Sequence, residues 1–165
     1  MTSLHESMIE YKKQMQAGTI PTAYKGLMEY MLDLRTHFQN SYPDYFVSGS
    51  IYYGFMDMTY FSFFPESFKQ IKLKVAVVFV HQSCSFEVWL AGYNKQVQSK
   101  YWQLFKESGW NKYRLVPTIK GVDSILESVL IEAPDFKDLK ALTKQIETGT
   151  LTFIKDVEGV LATLL

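Results

Sequence analysis

The run from Leu73 to Val80 limits most tightly what this chain can fold into. It is apolar at both parities, which reads as a central strand covered on both faces. His81-Gln82-Ser83-Cys84 follows as a short hairpin loop, and Phe86 to Ala91 as the antiparallel partner strand. Upstream, Ser50 to Phe64 is rich in β-branched and aromatic residues, which favour a pleated surface. Gly54 and Asp57 divide that run by a bulge or turn. Pro65 to Phe68 reads as a short helical turn.

Helical periodicity frames this strand-rich core. Ser3 and Glu6 form a capping-box pattern, and Leu4, Met8, Tyr11 and Met15 recur at helical spacing, giving a helix over about 4–16. Pro21 suits the first turn of a second helix that ends near residue 40. Its stripe is Tyr24, Leu27, Met28, Met31, Leu34 and Phe38, and at about 100° per residue Arg35 falls inside it. Asn94 can cap a third helix over about 95–107. A short strand is expected near 112–117. Residues 124–132 are ambiguous between strand and helix, and strand is preferred because Ile125, Val129 and Ile131 alternate. A last helical segment, over about 135–164, carries a long apolar stripe that Gly149 kinks or divides. Two helices, four strands, a helix, one or two strands and then helices make a single α+β domain, 1–165, with a mainly antiparallel sheet of roughly 50–91 and helices packed against it.

Composition narrows the function classes. Seventeen basic residues balance seventeen acidic ones, so the total carries no broad electrostatic footprint for nucleic acid, and a nucleic-acid partner is not expected. No apolar run reaches the roughly 18–20 residues of a membrane span, so no membrane partner is expected. The lone Cys84 can form no intrachain disulfide and no cysteine-based zinc site. With no signal-peptide pattern at the start, a reducing, cytoplasmic setting is the expectation. No metal and no cofactor is expected. Aromatics make up 16% of the chain, which reads first as an aromatic core and more sharply as an aromatic-lined pocket.

Several segments are familiar as a set: Leu34-Arg35-Thr36-His37-Phe38, Tyr42-Pro43-Asp44-Tyr45-Phe46, Gly54-Phe55-Met56-Asp57-Met58-Thr59-Tyr60-Phe61, Phe86-Glu87-Val88-Trp89-Leu90-Ala91-Gly92-Tyr93-Asn94-Lys95 and Gly121-Val122-Asp123-Ser124-Ile125. Together they resemble a family of uncharacterised bacterial proteins classed as a domain of unknown function. The resemblance spans roughly Tyr11 to Val157. It implies a bacterial cytoplasmic domain and supplies no mechanism.

Among individual residues, Arg35 comes first. A guanidinium on an apolar stripe needs a partner, because an unpaired buried charge is costly. The plainer reading is an ion pair with Asp57, Glu87 or another carboxylate, the sharper one a pocket arginine that grips a carboxylate or phosphate, and the third a surface-exposed arginine. Glu87 shares a strand face with Trp89 and Ala91. If covered, it is either paired or an acid–base group. Asp57 with Glu87 invites comparison with metal-dependent nucleases, but the lysine expected two residues after the second acid is replaced by Trp89. Asn94 and Lys95 stand at a strand-to-helix transition, where an ordinary cap is the plainer reading and an anion site the sharper one. His37 lies off the apolar stripe and is expected in solvent. Tyr101, Trp102, Trp110 and Tyr113 interleave with Lys100, Lys106 and Lys112, a pattern explained either by packing or by single-strand stacking.

The leading expectation is a small-ligand-binding or interaction domain. Its aromatic-lined pocket holds Arg35, Asp57, Tyr60, Glu87 and Trp89, with Asn94 and Lys95 as further ligand contacts, and takes an anionic small molecule. The alternative is a small hydrolase using Asp57 or Glu87. Self-association through the C-terminal stripe is a third reading.

Overall fold

A computed structural model describes all 165 residues. The chain forms two compact units, Met1–Leu34 and Arg35–Leu165. In the first, the capping box forms as the sequence predicts. The Ser3 amide donates to Glu6 Oε2 at 2.7 Å, and the Glu6 amide donates to Ser3 Oγ at 3.2 Å. This opens α1 (Leu4–Ala17), which Gly18 closes. The stripe Leu4, Met8, Tyr11 and Met15 makes a helix but finds no cover, since no residue of α1 is buried. Helix α2 (Thr19–Ser41) carries Pro21 in its first turn. Tyr24 stays exposed, Leu27 and Met28 are half-buried, and Tyr30, Met31 and Leu34 are buried.

The second unit starts with the last turns of α2. It adds β1 (Phe46–Val47), β2 (Met58–Phe64), α3 (Glu66–Gln70), β3 (Leu73–Val80), β4 (Ser85–Gly92), α4 (Lys95–Ser108), β5 (Arg114–Leu115), β6 (Ser124–Ile131) and α5 (Leu139–Leu164). The strands form a six-stranded sheet in the order β1-β2-β3-β4-β6-β5, with every neighbouring pair antiparallel. The fold class is therefore α+β. The expected strand at Ile51–Tyr53 reduces to a single bridge between Tyr52 and Tyr60.

Burial alternates along the three central strands. Thr59, Phe61 and Phe63 of β2, Leu73, Val75, Val77 and Phe79 of β3, and Phe86, Val88 and Leu90 of β4 are all buried. These residues form the sheet's dry face. Phe38 of α2 meets Phe63 at 4.6 Å and Phe61 at 5.7 Å between ring centroids. On α5, Leu142, Ile146, Phe153, Val157 and Leu161 are buried. Each such side chain contributes about 1.5–3 kcal/mol through the area it removes from water.

The opposite face corrects the expectation that β3 is covered on both sides. Met58, Tyr60 and Ser62, then Lys74, Ala76 and Val80, then Glu87, Trp89 and Ala91 are only half-buried. Three residues of this face are buried: Val78 between Tyr60 and Glu87 in the register, Phe64 at the end of β2 and Ser85 at the start of β4. The strand is central because β2 and β4 flank it, but no second layer closes this side.

Two further expectations change. Residues 124–131 are a strand, yet Val129 is exposed and Leu126 buried, because register irregularities between Phe86 and Glu87 and between Leu90 and Ala91 break the simple alternation. Gly149 does not divide the last helix, which runs unbroken from Leu139 to Leu164. The glycine instead makes room, since a Cβ there would lie 2.6 Å from Leu130 Cδ2.

Candidate functional site

The open face holds a cleft of about 280 Å³. Its floor comes from alternate residues of three strands. Ser62, Ala76 and Trp89 stand side by side across β2, β3 and β4, and Lys74 stands beside Ala91 in the next row. Ser62, Ala76 and Ala91 are small, so the larger neighbours Tyr60, Trp89, Lys74 and Tyr93 rise around a depression. One end is closed by Asn94, Lys95, Gln98, Asp123 and Ser124.

Local chemistry fixes these walls. Tyr60 leans on Tyr52, with ring centroids 4.9 Å apart. Burial, then the neighbouring Tyr52 and Asp123, hold its phenol above the usual tyrosine range. The Trp89 indole donates to Glu87 Oε1 at 3.0 Å, a pairing of residues two apart on one strand face. Lys74 places its ammonium over the Tyr93 ring, 4.3 Å from the centroid. At the closed end, a Cβ on Gly92 would lie 2.5 Å from the Gln98 backbone nitrogen. Only a residue without a side chain lets β4 pass so close to the first turn of α4. Gln98 is buried there, and its side-chain amide donates to Val122 O at 2.9 Å and Ser124 O at 3.0 Å.

Four of the residues singled out from the sequence, Tyr60, Trp89, Asn94 and Lys95, line this cleft. Asn94 caps α4, accepting from the Val97 amide at 2.9 Å. Lys95 donates to Val122 O at 2.8 Å and lies 3.5 Å from Asp123 Oδ1. Glu87 borders a separate, more open depression of about 420 Å³ with Arg114 and Glu127, which form an ion pair at 2.8 Å.

Arg35 and Asp57 lie outside the cleft, and the ion pair expected of Arg35 with Asp57 or Glu87 does not form. Arg35 is half-buried, its guanidinium donates to Ser48 O at 3.1 Å, and its Nε is buried without a hydrogen bond. Asp57 serves a turn. Its Oδ1 accepts from the Phe55 amide at 2.9 Å and the Met58 amide at 2.8 Å, and these bonds hold the carboxyl below its ordinary range.

Lys74 was missed. It is the only charged residue in β3. A charge in the most apolar strand is a sign that one face of that strand is not sealed.

Other polar clusters are structural in form. His37 is not in free solvent, because its Nε2 lies 2.7 Å from Glu147 Oε2, while Tyr42 donates to Glu147 Oε1. Burial raises the Glu147 pKa, but the bonds from Tyr42 and His37 outweigh that and leave it lowered. Burial and the Glu147 carboxylate push Tyr42 up to about 12. Thr59 Oγ1 donates to Tyr53 O at 2.7 Å, so His81 Nε2, 2.8 Å away, must donate to that oxygen. A hydroxyl so committed, on a buried residue, is not an activated nucleophile. No group of three or more His, Cys, Asp and Glu side chains is placed to hold a metal ion. The aromatic–lysine interleaving is largely packing. Tyr101 is buried, Trp102 donates to Val116 O at 2.7 Å, Trp110 packs on Phe105, and Tyr113 packs on Phe153 and donates to Asp156.

These features define an α+β class in which an antiparallel sheet has one dry face and one face hollowed by small residues between aromatic ones. The chain belongs to the family described as Domain of unknown function (DUF7000), whose model matches residues 4–161. No curated protein and no solved structure matches it. No helix is long and apolar enough to cross a membrane.

Proposed function

We propose that this protein is a small-ligand-binding domain whose ligand rests on the open sheet face, against Tyr60 and Trp89. The observation that carries this reading is the row of Ser62 and Ala76 leading to Trp89, a floor of small side chains beside large aromatic ones. The volume, about 280 Å³, lies just below the range of drug-sized ligand sites, about 300–1,000 Å³. A ligand of one or two rings suits that space. A cytoplasmic setting accords with the exposed, unbridged thiol of Cys84.

The test is a thermal-shift screen of the full chain against metals, nucleotides, carboxylates and sugar phosphates, repeated on Trp89→Leu. A ligand that binds only the native state stabilises it by about 2.7 kcal/mol at a hundredfold excess over its dissociation constant. A stabilising compound whose effect vanishes in folded Trp89→Leu supports the reading. A compound that stabilises both proteins equally binds elsewhere, and an empty screen counts against the cleft.

A further inference from the structure

The cleft's charges do not cancel. Its charged lining residues are Lys74, Lys95 and Asp123. Lys95 and Asp123 face each other at 3.5 Å, and Lys95 is further committed to Val122 O at 2.8 Å. Lys74 makes no ion pair, and its ammonium rests on the Tyr93 ring, 4.3 Å from the centroid. One uncompensated positive charge therefore stands beside the floor of Ala76 and Ala91. Compared with a carboxylate, an aromatic face is a weak partner for an ammonium. An incoming anion can displace or share it, and the carboxylate that would otherwise neutralise Lys74 is absent from the lining.

Resting on the ligand-binding reading above, we infer that the cleft selects a planar aromatic compound bearing an anionic group, with Lys74 as the anion's anchor and Trp89 as a wall for its ring. The anion and the ring are recognised by different residues. Lys74 and Ala91 occupy one cross-strand row, while Ala76 and Trp89 occupy the next. Lys74 and Trp89 are thus diagonal neighbours on β3 and β4, about 7–8 Å apart at the backbone and within reach of each other's long side chains. One ring with an anionic substituent can therefore meet both once the Lys74 ammonium leaves Tyr93. Carboxylate and phosphate share this chemistry, and the experiment separates them.

The experiment titrates benzoate, phenyl phosphate, acetate and benzylamine into the full-length protein. The readout is the Trp89 indole N–H signal in a proton–nitrogen correlation spectrum, assigned with Trp89→Phe. Benzoate or phenyl phosphate should shift it, and the stronger of the two names the anion. Folded Lys74→Gln should lose at least about tenfold in affinity for that compound, and Lys74→Arg should regain most of it. Acetate binding as well as benzoate overturns the aromatic requirement. Binding of benzylamine but not benzoate overturns the ligand class and leaves the cleft standing. Unchanged affinity in Lys74→Gln overturns the anchor. If no probe moves the Trp89 signal, both the class and the cleft fail.

Discussion

The two faces of one sheet are built from the same three strands and differ by a single step along the backbone. Phe61, Val77 and Val88 on one face are fully buried, while Tyr60, Ala76 and Trp89, each adjacent in sequence to one of them, stay half-buried on the other. Alternation along a strand decides which residues share a face. Whether a layer covers that face is decided elsewhere in the chain. Here the dry side receives Phe38 of α2, and the other side is covered only in part, so that Tyr60, Ala76 and Trp89 stay half-buried. One face therefore carries stability, and the other is left available for contact with something outside the chain.

This contrast can be broken at several points. Phe63→Ala removes a fully buried ring that meets Phe38 and Tyr45, so it should cost about 3–5 kcal/mol in urea denaturation. A loss below about 1 kcal/mol would mean that this face is not the core. Gly92→Ala drives a methyl into the Gln98 backbone, which side-chain rotation cannot relieve. It should cost roughly 1–3 kcal/mol and weaken any ligand of the cleft as the end wall shifts. Wild-type stability in that variant would show that the approach of β4 to α4 is loose.

Glu147 tests how the dry face is held at the end of α2. Glu147→Ala frees the Tyr42 hydroxyl and the His37 ring, and should cost about 1.5–3 kcal/mol near neutral pH. Its carboxyl is lowered in the fold, so its contribution is complete above its ordinary range and is lost as pH falls through the folded value. Tyr42 is raised from 10.0 to about 12, so its contribution is present below 10 and is lost as pH climbs towards 12. Both pH dependences should flatten in the variant when melting temperature is followed against pH. If they persist, other groups are responsible. The smallest effect belongs to the open face. Lys74→Gln should change stability by no more than about 0.5 kcal/mol, and a larger loss in chemical denaturation would make Lys74 part of the scaffold.

Much of the frame was legible in the sequence. The capping box at Ser3, the run from Leu73 to Val80 and the hairpin after it were readable because they depend on local propensity and alternation. The cleft was legible only in pieces. Residue type points to Tyr60 and Trp89, but helical periodicity puts Arg35 on an apolar stripe and so points to it, rather than Lys74, as the cation. Periodicity gives a direction around a helix and says nothing of a carbonyl such as Ser48 O waiting there. Leu4, Met8, Tyr11 and Met15 show the same limit, since their spacing specifies a helix and not a partner for it. Gly149 looked like a helix break because its neighbour Leu130 lies on a strand that no local reading brings near.

The strand order has a consequence for how the molecule assembles. β3 and β4 pair across a four-residue turn, with Val80 beside Ser85, whereas Phe86 of β4 pairs with Ile131 of β6. A hairpin closes in about 1–10 μs, while contacts distant in sequence form later. Until β6 arrives, β4 offers an unpaired, apolar edge, the kind of template that recruits a neighbouring chain. Refolding yield should therefore fall as protein concentration rises, with intermolecular strand pairing competing for the place that β6 takes in the finished sheet.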